Sequence, residues 1–447
     1  MPQSDRFRRT IQRGLCCLLL LTPVLLKAED LTLEQAVALA VKNNRMVTNA
    51  HLEVEKSDHQ IEVARTYRLP AFHLSVFEGE FLAPVNFEFP AGVWGVYPAT
   101  GPIPATATTI TSPRYPFSLI NGSFTQPITQ LARIRLGVRI RETEREEARE
   151  KLSAARQAVV SDVRKLYYGI LQTQSALEAN QSSIQTLREL DRDASESLSH
   201  QIALKSEALE VKARLARVEY EGAALLLDLA SEKEQLNDLM GRDTRTEFAV
   251  LALPEPSLAA VDLAQVREHA LAERPEIREA RLKVVEAEQD RAMKRKEFIP
   301  DVDFKVEYIS PFGIALLPKS VAAAGVQLNW DVFDWGRKKQ ELAVKDIVIR
   351  QAKNALETTQ SQVLIEVESR YRKLEETRRL LQVVEMAQMA ARERVRIVKD
   401  RYDGAAALLK DLLEAQSALA ETDYQRQQAL SSYLAARADF DRAGATQ

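Results

Sequence analysis

Residues 300–308 read Pro-Asp-Val-Asp-Phe-Lys-Val-Glu-Tyr, and residues 326–332 read Val-Gln-Leu-Asn-Trp-Asp-Val. In the first run Val302, Phe304, Val306 and Tyr308 alternate with Asp301, Asp303, Lys305 and Glu307. In the second, Val326, Leu328, Trp330 and Val332 alternate with Gln327, Asn329 and Asp331. A period of two predicts strands with one oily and one wet face. Directly after the second run the period changes. No proline occurs from Lys319 to the C-terminus, and Leu356, Val363, Val367, Tyr371, Leu374, Leu381, Val384, Ala391, Val395 and Val398 step by threes, fours and sevens. That is a heptad-like seam of a long helix packed on other helices.

The same order occurs upstream. A shift of 204 residues aligns Val159 with Val363, Val163 with Val367, Tyr167 with Tyr371, Leu177 with Leu381, Leu209 with Leu413, Glu210 with Glu414 and Tyr220 with Tyr424. A shift of 230 aligns Ala40 with Ala270, Leu52 with Leu282 and Pro70 with Pro300. The offsets differ because the first copy carries an insertion between about Gly79 and Pro116. Repeats of this length decide a fold, so they are read before single elements. Each copy predicts helix, strand, loop, strand, long helix, helix. The first copy's strands are weaker, with Phe72, Leu74 and Val76 before the loop and Gly122, Phe124 and Ile128 after it. Arg133 to about Leu198 predicts one helix of roughly 65 residues, about 100 Å long. Turns are expected near Ser199–Ala203 and Arg401–Ala405. The returning helix from Leu204 to about Met240 is half as long, and a helix from Pro275 to Phe298 makes up the difference. An antiparallel column interrupted by a belt partway up would need those lengths.

The first thirty residues carry an address. Arg6, Arg8, Arg9 and Arg13 precede an apolar run from Leu15 to Leu26, and Ala28 precedes Glu29-Asp30. This order predicts a secretory signal peptide over 1–28. The competing reading, a retained anchor, falls short of the ~20 apolar residues of a spanning helix. Both cysteines, Cys16 and Cys17, lie near the start of the run, unlike a lipoprotein cysteine, so the mature chain holds no thiol. Cleavage removes five bases and one acid, taking the formal charge from −3 to −7. That acidity gives no support to nucleic-acid binding. The domain reading is signal peptide 1–28, first repeat 29–243, an equatorial linker 244–260 containing Pro254 and Pro256, and second repeat 261–447.

No later stretch is apolar enough for a transmembrane helix, so two-faced strands must reach the membrane as a closed barrel if they reach it at all. Four strands from one chain are too few, because bacterial barrels start at about eight. Two chains would give eight strands and an interior filled by side chains. Three would give twelve and leave a channel. The alternative is a periplasmic coiled coil with incidental hairpins and no pore.

The chain resembles the outer-membrane efflux proteins of the TolC type. The resemblance covers nearly all of the mature chain. It rests on LTLEQAVALAVKNN from Leu31 and its echo VDLAQVREHALAERPEI from Val261, on VQLNWDVFDWGRKK from Val326, and on RYDGAAALLKDLLEAQSAL from Arg401 with Tyr424 beyond. It implies a mostly helical fold with a small β part: long antiparallel coiled-coil helices forming an α-barrel, and four strands per protomer in a shared twelve-stranded transmembrane β-barrel. It implies a homotrimer in outer-membrane lipid, docked to a periplasmic adaptor (membrane fusion) protein and an inner-membrane transporter. The implied role is a passive exit duct for small molecules, without cofactor and not an enzyme. A polypeptide-secretion duct of the same fold stays open as an alternative. The resemblance further implies a periplasmic aperture narrowed by Asp411 and Glu414, a helix-tip latch at Tyr402, and adaptor-docking tips around His200, Gln201, Gly404 and Ala405. Asp411 and Glu414 share one helical face by spacing, although two carboxylates on a solvated face read the same way. Glu207 and Glu210 stand at the equivalent positions of the first repeat. Gly404 lies one place before Ala405, where the family often has its glycine, so the tip geometry departs from the pattern.

Other chemistry finds little support. His51, His59, His73, His200 and His269 are scattered without metal-ligand spacing, and there is no nucleophile elbow, P-loop or dinucleotide fingerprint. Tyr167 and Tyr371 fall on the apolar seam and are expected to pack in the core. The insertion 79–116, rich in Pro, Gly, Thr and aromatics including Trp94 and Tyr97, predicts a long surface loop at the end opposite the helices, partly covering the outer mouth.

Overall fold

The computed structural model describes residues 29–112, 116–200, 204–252, 261–314, 317–404 and 406–446. The signal-peptide reading of 1–28 and the tip residues Gln201 and Ala405 lie outside the described residues.

The elements run β1 (Glu29–Leu31), α1 (Leu33–Asn43), α2 (Arg45–Thr66), β2 (Ala71–Glu80), β3 (Val85–Phe89), β4 (Val96–Tyr97), β5 (Gly101–Pro102), β6 (Thr108–Ser112), β7 (Pro116–Pro127), α3 (Leu131–Ser199), α4 (Lys205–Leu239) and β8 (Phe248–Val250). The second repeat follows as α5 (Leu263–Glu273), α6 (Pro275–Lys296), β9 (Asp301–Phe312), β10 (Val321–Asn329), α7 (Arg337–Asp403) and α8 (Leu409–Ala443). Helix lengths repeat residue for residue in three cases: 11 for α1 and α5, 22 for α2 and α6, 35 for α4 and α8. The long helices α3 and α7 hold 69 and 67 residues, each about 100 Å.

Local chemistry sets the boundaries. Thr32 caps α1 through its side chain, with Gln35 returning the bond to the Thr32 N–H. Asn44 and Arg274 break the first helix of each repeat at equivalent places, with Asn44 accepting from the Met46 N–H and Pro275 opening α6. The Asp334 carboxylate accepts from the backbone N–H of Gly336 and Lys338 and starts α7.

Helix α3 is central. It packs on α2 and α6 in its first half and on α4 and α8 in its second, while α6 and α8 pack on α7. The protomer is therefore a layer ordered α2–α3–α6–α7 near the strands and α4–α3–α8–α7 towards the tips. The core at the break contains Leu31, Ala36, Ala40, Val159, Val163, Ile170, Leu236 and Phe248, and a second core holds Val363, Val367, Leu374, Leu381, Tyr433 and Phe440. Half of the seam read from the sequence, Val363, Val367, Leu374, Leu381 and Val384, is thus buried, and the other half is half-buried.

The four-stranded sheet has the order β10-β9-β7-β2, all antiparallel. Each repeat contributes a hairpin, and the two join through β7 and β9. Three details differ from the sequence reading. Strand β10 starts at Val321 and stops at Asn329, so Trp330 and Val332 belong to the turn into α7. The insertion is not an irregular loop but carries two hairpins, β3–β6 and β4–β5. The linker 244–260 contains β8, which pairs in parallel with β1. Three-residue strands carry too little periodicity to be seen beforehand.

Candidate pore wall and helix tips

The sheet's pairing is regular, without a bulge, so side chains sort by parity across all four strands. The row Phe72, Phe124, Val306, Ala324 lies on one face, next to Leu74, Gly122, Tyr308, Ala322 and to Gln126, Phe304, Val326. The opposite face carries His73, Ser123, Glu307 and Ala323, then Thr125, Lys305 and Gly325, then Asp303 and Gln327. One face is oily and the other wet. The oily face is bare in the protomer: Phe72 is 77% exposed, Leu74 70% and Val326 68%. Aromatic contacts bind the strands along it, with Phe72 and Phe124 edge to face at 5.0 Å and Phe124 and Phe304 at 6.1 Å. A continuous apolar patch of this size on a water-exposed surface marks an interface with protein or membrane.

The sheet joins the helices through polar contacts. Thr129 donates to the Pro300 carbonyl at 2.7 Å and accepts from the Val302 N–H. Gln130 donates to Asp303 at 3.0 Å, and Arg133 pairs with Asp301 at 3.2 Å. These fix the first turn of α3 against β9, with Asp301 and Asp303 of the wet parity as the acceptors for Arg133 and Gln130.

At the far end, Asp411 and Glu414 are both exposed, three residues apart, on the side of α8 away from buried Leu412 and Leu413. The Asp411 carboxylate accepts the Leu408 N–H at 3.1 Å, so it also caps α8. Glu207 does the same for α4 at Leu204. Glu414 lies 3.9 Å from Lys410, and Glu210 3.0 Å from Arg214. Leu413 packs with Leu190, Ala194, Ala208 and Val211, which brings the tips of the two repeats together. Tyr402 is half-buried in the last turn of α7. His200 and Gly404 occupy equivalent ends of α3 and α7, and each backbone N–H closes the last turn, on Glu196 and Asp400. Gly404 has φ −87°, so the displaced glycine uses no left-handed backbone there.

This two-faced sheet on a hundred-ångström helical layer is matched by known proteins. Residues 36–242 and 266–444 both match the model of the outer membrane efflux protein family. The chain belongs to that family. Membership places this efflux protein in the outer membrane, with its helical part in the periplasm. Solved channels share the fold. The Campylobacter jejuni CmeC outer membrane channel superposes with a TM-score of 0.74 at 16% identity, covering 92% of this chain and 85% of CmeC. The Vibrio cholerae outer membrane protein VceC gives 0.70 at 18%, covering 92% and 95%. The Neisseria gonorrhoeae MtrE outer membrane channel, in its open state, gives 0.69 at 17%, covering 92% and 88%. Comparison with curated protein sequences yields no match.

Two features of this efflux protein escaped sequence reading. Tyr167 is fully buried, as expected, but its hydroxyl is also a hub. It accepts from the Leu251 N–H and lies within hydrogen-bond distance of the Leu31 and Leu251 carbonyls, tying the C-terminal ends of both β1 and β8 to α3. Burial pushes its pKa up. Glu147 on α3 is 7% exposed, and its Oε1 meets no hydrogen-bond partner among the described residues. Desolvation, and then the neighbouring Glu286 carboxylate, push Glu147 up to about 7 against the pull of Lys283 and Lys151. A polar residue on a helix gives no advance notice of which neighbour it will face.

Proposed function

We propose that three copies of this chain close side by side into one duct that passively conducts small molecules out of the cell, from a periplasmic adaptor and an inner-membrane transporter. The observation that carries this is that, among the described residues, both lateral edges of the protomer end in an unpaired strand and a helix with exposed apolar side chains. Strand β2 is one edge of the sheet and continues back into α2, an edge of the helical layer. Strand β10 is the other edge and continues into α7, the opposite helical edge. The edge strands run in opposite directions, so β10 of one copy meets β2 of the next antiparallel, head to tail. Such a contact makes a ring when the rotation closes. Open strand edges are not tolerated in lipid, and twelve strands leave a lumen where eight would fill it. The oily parity then faces lipid and the wet parity lines the pore.

The helical layers continue the wall inward. Asp411 and Glu414 are proposed to ring the periplasmic aperture, Tyr402 to latch the tips, and the ends around His200, Gln201, Gly404 and Ala405 to dock the adaptor. Residues 1–28 act as the export signal, and 244–260 link the repeats at the equator. A threefold acidic ring favours cations. The test is single-channel recording in planar bilayers. Wild type is expected to form cation-preferring channels, and Asp411→Asn with Glu414→Gln to raise conductance or weaken that preference. Unchanged values in the double variant remove the aperture assignment, and absence of channels in wild type removes the duct.

A further inference from the structure

The wet face of the sheet becomes apolar near its outer end, while polar residues enter the oily face. On the wet parity the inner rows are polar, as His73, Ser123 and Glu307 show. Further out, Ile309 and Val321 share a row with Ser75 and Asn121, and beyond it Phe77 pairs with Leu119, Leu119 with Pro311, and Phe117 stands opposite Gly79. On the oily parity polar side chains enter the same stretch, with Glu78 and Glu80 exposed and Ser118 donating to Glu78 at 3.5 Å, next to Val76, Ile120 and Phe312. The register runs through this region without a bulge. The change is therefore written in the sequence and does not come from a twist of the strands. The rings are also in contact. Phe77 and Phe117 lie 5.9 Å apart, and Phe81 stacks on Phe117 at 4.6 Å and 19°.

We propose that these side chains form an apolar neck inside the outer mouth of the barrel, which discriminates by hydration. It rests on the duct reading above, because only closure turns the wet parity into a lumen. Four positions, Phe77, Phe117, Leu119 and Pro311, then recur around the axis, outside a mixed row in which Ile309 and Val321 stand with Ser75 and Asn121. Beyond the lipid the wall no longer needs an oily exterior, and Glu78 and Glu80 meet water. The interior there offers a hydrated ion no partner for the water it must shed, so a narrow apolar ring resists wetting. A solute with an apolar body loses nothing by the same contact. The neck therefore sets what leaves: amphiphilic, apolar-bodied molecules cross it, and small charged ones stall.

The test uses the thiol-free mature chain in intact cells, with a charged maleimide too large for general porins added outside. Ser123→Cys places a thiol on the wet parity below the neck, and Phe124→Cys places one on the oily parity beside it. The expected result is slow labelling at Ser123→Cys that accelerates at least ~tenfold when Phe77, Phe117 and Leu119 are changed to Asn. It stays slow when Phe77 and Phe117 become Leu. The single change Phe77→Asn, at an exposed position of the protomer, is read in the same way if the triple variant does not assemble. Labelling at Ser123→Cys that is fast from the start, or unmoved by the Asn substitutions in assembled protein, overturns the neck. Rapid labelling of Phe124→Cys shows that the oily parity is not in lipid, and overturns the duct reading itself.

Discussion

Helices α3 and α7 are copies of one element, related by 204 residues, yet they live in different surroundings. Along α3, Thr143, Glu147, Ser161 and Ala176 are buried against α6 and α8 or close to them. Their counterparts on α7 are Ile347, Gln351, Ile365 and Leu380, and all four are exposed. Ser161 is 0% exposed and Ile365 is 65%. The small and polar side chains sit where a neighbour is already present. The large apolar ones sit where it is missing. The repeat thus teaches what α7 lacks: a helical partner like the one α3 has, which under the proposed closure is the α2 and α4 edge of the next copy. That edge shows matching apolar residues, with Leu52, Val63, Tyr220 and Leu227 all exposed.

The largest expected effect breaks this comparison where it is sharpest. Ile365→Glu with Leu380→Glu would bury two unpaired charges at every junction between copies, at a cost of several kcal/mol each. The assembled particle should be lost while the protomer keeps its helical circular dichroism.

The next prediction compares the clamps at the two helix breaks. Asn44 and Arg274 are equivalent by the 230-residue offset. Asn44 donates to the carbonyl of Leu239, the last residue of α4, at 2.9 Å. Arg274 is 4% exposed, pairs with Glu276 and Glu366, and reaches the carbonyls of Arg442 and Ala443 at the end of α8. Both residues pin the end of the repeat's last helix, but Arg274 does so with a buried charge network. Arg274→Ala is expected to cost ~3 kcal/mol or more, and Asn44→Ala only ~1–2 kcal/mol, measured by urea unfolding. Equal costs would mean that the network contributes nothing beyond the shared carbonyl contact.

Glu147 gives a pH test, because the second repeat already carries Gln351 at its place. Its folded pKa is raised to about 7, so the native state holds a proton that the unfolded chain releases at lower pH. The contribution of Glu147 to stability is then greatest below the ordinary glutamate range and is lost as pH rises through about 7. The groups facing it are Glu286 and Lys283 from α6 and Lys151 from its own helix. Glu147→Gln should flatten this slope and raise the thermal midpoint at pH 8, by at most about 3 kcal/mol in stability. Unchanged pH dependence would show that Glu147 ionises normally.

The smallest effect lies just past α4 and α8. Gly241 has φ +66°, and an added Cβ would stand 2.5 Å from the Asn43 carbonyl oxygen. Its counterpart Ala445 holds φ +55° with a side chain. Gly241→Ala should destabilise by ~1–2 kcal/mol, and Ala445→Gly should stabilise by ~0.5–1 kcal/mol.

Much of this architecture was legible in the sequence because it is periodic. The alternation from Asp301 to Tyr308, the proline-free seam from Leu356 to Val398, and two constant offsets carry the strands, the long helices and the repeat. What escaped was short, or depended on distant partners. Strand β8 has three residues and exists through its pairing with β1. The hairpin β3–β6 does alternate, with Val85, Phe87 and Phe89 set against Asn86 and Glu88, but the surrounding Pro, Gly and Thr disguised it as loop. Asn44 and Arg274 differ in type, so their shared task shows only when the helix ends they hold are in place. At the tips, spacing alone could not tell a cap from a pore ring, and Asp411 caps α8 whatever else it does.

The claim on which the rest depends is closure of the two lateral edges between copies. Native mass spectrometry of the mature protein, extracted from outer membranes in mild detergent, tests it most directly. The account predicts a particle of three chains that falls to single chains in Ile365→Glu with Leu380→Glu. A stable wild-type particle of one or two chains would contradict it.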